Sequence, residues 1–154
     1  MRIGGWDYLD LNSTDGIALT VYFQGCSRGC KGCHNPSLKP IIGDSKYYTA
    51  LSLAQEIISK CDEGEYDYIV LLGGEPLEQS HEELQMLLTI LTEYGIKVWL
   101  YTGWEYRNVP DWAKTYCYCI KAGAYDPVNY PPKEGSKLAS SNQAYYFANG
   151  RVEK

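Results

Sequence analysis

The sequence predicts an α/β fold in which parallel strands alternate with crossover helices, as in open or barrel-like parallel sheets. Three observations carry that expectation. Short β-rich apolar runs alternate with stretches whose apolar residues recur at helical spacing, the pattern of strand–helix–strand units. Each run ends in a segment rich in Gly, Cys or Thr, and ligands of parallel sheets sit at those carboxyl ends. The chain's 154 residues, 45% apolar and 21% charged, suit a single domain over 1–154 with a real core. That is too little chain to close an eight-fold barrel.

The first expected strand is the apolar run at 17–23, which delivers a cysteine loop over 26–33. Residues 35–44 contain Pro36, Pro40 and Gly43 and read as an irregular loop covering it. Ala50, Leu51, Leu53, Ala54, Ile57, Ile58 and Cys61 then recur at helical spacing behind a Thr49 cap. Residues 68–72 are apolar at almost every position, as in a strand buried on both faces. Ser80 with Glu83 three residues later makes a capping box. Its helix runs through Leu84, Leu87, Leu88 and Leu91 to a stop at Gly95. A strand at 96–101, a short helix near 110–114 and a strand at 116–120 follow, with Cys117 and Cys119 sharing one face of the last. Beyond Gly123 the periodicity dissolves into an irregular segment, 124–154, holding one short strand at 144–147.

A net charge of −5 and a pI near 5.0 argue against a broad phosphate-binding face, so nucleic acid is not an expected partner. The longest aliphatic run, 69–72, is far too short to span a bilayer, and the first residues lack the apolar stretch of a secretory signal. A cytoplasmic protein without membrane attachment is expected. Six cysteines then read as metal ligands and buried thiols rather than disulfides. Fifteen Tyr and four Trp suggest an aromatic contact surface or ordinary packing with satisfied hydroxyls.

Cys26-Ser-Arg-Gly-Cys30-Lys-Gly-Cys33 is the chemically informative stretch. Three thiolates on one loop can hold three irons of a four-iron cluster and leave the fourth without a protein ligand, where substrate can bind. The rival is a zinc site made of Cys26, Cys30 and Cys33 with His34 or a distant cysteine. Adjacent Cys33 and His34 do not readily turn toward one tetrahedral ion. Gly73-Gly74-Glu75-Pro76 follows the second strand, where glycines permit close backbone approach and carbonyls with Glu75 can accept from an ammonium. Thr102-Gly103 follows the third strand, and Lys121 to Gly123 the fourth. These segments converge on one site. Outside it, His81 reads as solvated, Asn142-Gln143 as either a plain turn or part of the site, and Glu63, Glu65 and Asp67 as a solvated connector.

Taken together, the cysteine spacing and Gly73-Gly-Glu-Pro-Leu77 resemble the radical S-adenosylmethionine enzymes. Within that superfamily, Gly25-Cys26, Cys30-Lys-Gly-Cys33-His-Asn35, Tyr101-Thr-Gly-Trp104 and Ser140-Ser-Asn-Gln143 are similar to the anaerobic (class III) ribonucleotide reductase activating proteins. The resemblance implies an open barrel of the radical S-adenosylmethionine type and a [4Fe-4S] cluster on Cys26, Cys30 and Cys33. S-adenosylmethionine would be held by His34, Gly73, Gly74, Glu75, Pro76, Thr102 and Lys121. It further implies reductive cleavage to methionine and a 5′-deoxyadenosyl radical, which makes a glycyl radical on anaerobic ribonucleoside-triphosphate reductase. A one-electron donor such as flavodoxin or ferredoxin would supply the electron. Gly32 stands where many members carry an aromatic residue, which passes the adenine contact to His34 or Tyr22. Lys121 stands where the group commonly has an acid, and a cation there suits a carboxylate. Alternatives from other classes are a radical enzyme acting on a small metabolite, such as a 7-carboxy-7-deazaguanine synthase, and a non-catalytic metal-binding module.

Overall fold

The computed structural model describes residues 1–41 and 45–154. Residues 42–44, the end of the loop expected over 35–44, lie outside the described residues. The strands are β1 (Arg2–Asp10), β2 (Ala18–Phe23), β3 (Lys46–Tyr47), β4 (Tyr68–Gly73), β5 (Val98–Thr102), β6 (Cys119–Ala122), β7 (Ala144–Phe147) and β8 (Val152–Glu153). The helices are α1 (Ala50–Glu63), α2 (His81–Glu93) and α3 (Asp111–Tyr116).

The eight strands among the described residues form one sheet in the order β3-β1-β2-β4-β5-β6-β7-β8. Only the central four, β2, β4, β5 and β6, run parallel. The flanking pairs are antiparallel. The α/β class therefore stands, while the expected parallel sheet is a mixed, open one with β3 and β8 at its edges. The periodicity missed β1 because Gly4, Gly5, Asp7 and Asp10 interrupt its apolar alternation; pairing with β2 rather than intrinsic propensity makes it a strand.

Side-chain alternation sorts the core into two faces. Leu19, Val21, Phe23, Ile69, Leu71, Val98 and Leu100 point to one side and pack against Leu53, Ile57, Leu84, Leu87, Leu88 and Leu91 of α1 and α2. Among the described residues, no helix covers the opposite face. It is paved by Ala18, Val70, Leu72, Trp99, Cys119, Tyr145 and Phe147, with Tyr22, Tyr68, Tyr101 and Tyr118 against them. Much of the chain's aromatic excess lies on this face rather than on an outer contact surface. Cys117 and Cys119 do not share a face, contrary to the alternation argument. Cys117 is the residue that caps α3, outside β6, and joins the helix side, whereas Cys119 opens β6 and faces the other way.

The caps are resolved residue by residue. Thr49 and Ser52 form a reciprocal capping box on α1. On α2, Ser80 accepts from Glu83 N as expected, but the Glu83 carboxylate does not return to its own helix; it accepts from Ala50 N, one of the unpaired donors at the start of α1. Gly95, at φ +75°, ends α2 with Gly95 N donating to Thr92 O and Ile96 N to Leu91 O, a Schellman arrangement. Asp67 is no idle connector, since its carboxylate accepts from Ile17 N at 2.8 Å and sets the start of β2. Among the described residues no helix is long and apolar enough to cross a membrane.

Candidate functional site

A cavity of 520 Å³ opens at the carboxyl ends of β2, β4, β5 and β6. That size suits a cofactor-sized molecule. Cys26, Cys30 and Cys33 all line it, all three free of disulfides and half-buried. Burial pushes the Cys26 thiol above its ordinary value, Glu78 and Glu75 add to the effect, and the Arg28 N–H opposes it. A metal must therefore displace that proton on binding. Three unpaired thiols on one wall of a cofactor-sized cavity are a donor set that fits a four-iron cluster. Among the described residues, no three His, Cys, Asp or Glu side chains stand close enough to share one metal ion.

The glycine pair explains how this wall is built. A Cβ on Gly74 would sit 2.2 Å from Gly25 O, and one on Gly73 would lie 2.8 Å from Phe23 N. The close approach these glycines allow is thus between the end of β4 and the base of the cysteine loop. Glu75 N then donates to Gly25 O at 2.8 Å. Two motifs far apart in sequence form one piece of structure. Gly73 and Gly74 also line the cavity, as does Glu75, but Pro76 does not: it is buried at the start of a 3-10 turn, Pro76–Glu78.

Glu75 is 1% exposed, and its carboxylate is engaged by the protein itself. Oε1 accepts from Thr102 Oγ1 at 2.7 Å and Leu77 N at 3.2 Å, while Oε2 accepts from Gly103 N at 2.8 Å. Burial raises its pKa, and these donors work against the rise. Glu75 therefore ties the end of β4 to the end of β5, and Thr102, read from the sequence as a ligand contact, also serves as its partner.

Lys121 lines the cavity from β6, only 8% exposed. Burial lowers its amine to about 8. His34 is exposed and lines the cavity with its ring 4.5 Å from that of Tyr125, and Tyr22 lines it from β2. Tyr125 was not legible in the sequence because it belongs to the aperiodic stretch after β6. Gln143 is buried behind this segment, donating to Gly123 O at 2.9 Å and accepting from Ala139 N and Ser140 N. Asn142 donates to Ala124 O at 2.7 Å. The Ser140–Gln143 stretch thus braces the turn after β6, and Gln143 also reaches the cavity wall. His81 is exposed as expected, with its Nε2 2.9 Å from Leu77 O.

A second cavity of 680 Å³ continues along the helix-free face and shares Ser13 and Lys137 with the first. Trp99, Tyr145 and Phe147 line it, and the buried Trp99 Nε1 has no partner among the described residues.

Comparison with known proteins places these observations in a family. Residues 13–143 match the model of the 4Fe-4S single cluster domain. The anaerobic ribonucleoside-triphosphate reductase-activating protein of Vibrio cholerae serotype O1 is 26% identical over 108 residues, covering 67% of this chain and 68% of the relative. Both findings agree with the resemblance read from the motifs, and the family match supports an iron–sulfur cluster rather than a zinc ion as the metal group.

Proposed function

From the premise that this chain belongs to the 4Fe-4S single cluster domain family, we propose that it is a radical S-adenosylmethionine activating enzyme for anaerobic ribonucleoside-triphosphate reductase. The observation that carries the reading is the convergence of three free cysteines, the Gly73-Gly74-Glu75 turn and Lys121 on one cavity. Cys26, Cys30 and Cys33 would hold a [4Fe-4S] cluster that, once reduced by an external one-electron donor, would supply the electron for reductive cleavage of S-adenosylmethionine to methionine and 5′-deoxyadenosine, the hydrogen coming from a glycine of the reductase. Such a relative, at 26% identity, supports the choice of partner. Flavodoxin or ferredoxin is the proposed electron source, and the cytoplasm the proposed compartment.

The chain's own residues bind and orient. Cys26, Cys30 and Cys33 ligate. Carbonyls of the Gly73-Gly74 turn accept from the ammonium of S-adenosylmethionine, and Lys121 receives its carboxylate, because a desolvated cation that has no carboxylate partner among the described residues gains most from one. His34, Tyr125 and Tyr22 offer ring faces for the adenine. Glu75 acts through Thr102 and Gly103 by fixing the spacing of the strand ends. Pro76 acts only by setting the turn. The helix-free aromatic face corresponds to the inside of a partial barrel, and the second cavity gives room for the glycine-bearing segment of the reductase.

The test is anaerobic reconstitution with iron and sulfide, reduction, and addition of S-adenosylmethionine. Stoichiometric 5′-deoxyadenosine, together with a glycyl radical signal when anaerobic ribonucleoside-triphosphate reductase is present, is the expected result. No 5′-deoxyadenosine from an iron-loaded, reduced protein overturns the reading in favour of a non-catalytic module. 5′-Deoxyadenosine without any radical on the reductase points to a small-molecule substrate.

A further inference from the structure

The loop that carries the cysteines is fastened to its surroundings by side chains that ligate nothing. Ser27, next to Cys26, donates twice to one carboxylate: its N–H to Glu78 Oε2 at 2.8 Å and its hydroxyl to Glu78 Oε1 at 2.7 Å. Arg28 reaches the other way, its guanidinium donating to Gly103 O beyond β5. Gly103 leaves room for the Arg28 arm to lie across it, since a Cβ there would overlap Arg28 Nε and Cδ and push the arm aside. On the third side, Gly25 N donates to Leu38 O at 2.8 Å and Cys26 N to Lys39 O at 3.0 Å. The start of the cysteine loop is thus held by the turn after β4, the turn after β5 and the segment that follows the cysteines.

We propose that Glu78 and Arg28 are positioning residues that hold the start of the three-cysteine loop in its ligating conformation before iron arrives. The inference rests on the cluster-binding reading of Cys26, Cys30 and Cys33 and on nothing further in the proposed reaction. Charge alone gives no reason for Glu78. A cluster bound by three thiolates is anionic, and a carboxylate beside it opposes both ligand deprotonation and reduction. What Glu78 supplies at this point is geometry: two acceptor oxygens that match the two donors of Ser27. Ordering the loop in advance removes that entropy cost from the step of metal binding.

Geometry and charge separate cleanly in two variants. Glu78→Gln removes the charge but keeps the clasp, since its Oε1 accepts from Ser27 N–H and its Nε2 donates to the Ser27 hydroxyl oxygen. Glu78→Ala removes both. In the apo protein, amide exchange at Ser27 is expected to accelerate about tenfold in Glu78→Ala and to stay near wild type in Glu78→Gln. After reconstitution, chelator-driven loss of iron should follow the same order, while the reduction potential moves positive in both. Arg28→Ala should accelerate iron loss, and Arg28→Lys, which keeps a donor for Gly103 O, should restore most of it. Ser27→Ala combined with Glu78→Ala should be no worse than Glu78→Ala alone. Equal behaviour of Glu78→Ala and Glu78→Gln in exchange and iron loss, or a Glu78→Ala protein indistinguishable from wild type, overturns the proposal. A wild-type protein that takes up no cluster overturns instead the ligand reading on which it rests.

Discussion

Lys121 on β6 stands directly opposite Tyr101 on β5, its Nζ 4.6 Å from the centre of the phenol ring. Tyr145 on β7, its neighbour on the other side, closes in at 5.8 Å. The amine is thus clamped between two aromatic faces at the wall of the cavity, with the Tyr101 hydroxyl donating onward to Ser13 O. The ring faces offset part of the desolvation cost. They leave the cation free to accept an anion from the cavity.

This geometry makes stability and binding depend on pH in opposite senses. Burial lowers the folded amine to about 8, against 10.5 for an unperturbed lysine. Between those two values the unfolded chain binds more protons than the folded one, so apo stability rises with pH across that window and is flat below it. Lys121→Met abolishes the rise and makes the apo protein more stable at pH 7, by up to about 3 kcal/mol. Urea unfolding of both proteins from pH 7 to 10.5 measures this. In the holoenzyme the same variant weakens S-adenosylmethionine binding by about 10- to 100-fold, the loss of a charge-assisted hydrogen bond. Wild-type affinity should decline as the amine loses its proton, and an affinity indifferent to both changes would remove Lys121 from the binding site.

Gly74→Ala tests the joint between the two motifs. The new methyl overlaps Gly25 O, a backbone atom, and a Cβ fixed by its own backbone has no rotamer that relieves the clash. A loss of about 1–3 kcal/mol is expected, read as a lowered unfolding midpoint together with reduced iron uptake. Gly5→Ala on β1, where nothing lies within 4 Å of the added atom, is the control and should change neither.

The cysteines divide by face. Cys30→Ser should lose the cluster while its apo form keeps the wild-type fold. Cys117→Ser should retain iron at a stability cost of about 1–2 kcal/mol, because Cys117 is 2% exposed in the helix-side core and a hydroxyl there lacks an apolar welcome. Iron analysis and the visible absorption of the reconstituted proteins decide it. Equal loss of iron from the two variants contradicts the ligand assignment.

Most of the parallel core could be read directly because its residues carry their own periodicity. The apolar run 68–72 and the Leu84, Leu87, Leu88, Leu91 stripe bury the faces their spacing implies. The end strands could not. β1 has two glycines and two aspartates among its nine residues and becomes a strand only through its partners. The Cys117 and Cys119 alternation misled for a related reason: a period of two fixes a shared face only inside a strand, and the strand begins at Cys119.

The covalent sequence alone determined that Cys26, Cys30 and Cys33 bring three thiols together on one short loop, and that the Gly73-Gly74 pair marks a place where backbone must pass close to something. Tertiary structure decided what each charged group faces. Glu83 caps a helix other than its own, Glu75 bonds the end of a neighbouring strand, Glu78 holds Ser27, and Lys121 lies between tyrosines of two other strands. A long polar side chain has no periodic signature, and its partner is set by which elements the register and the core bring within hydrogen-bond reach.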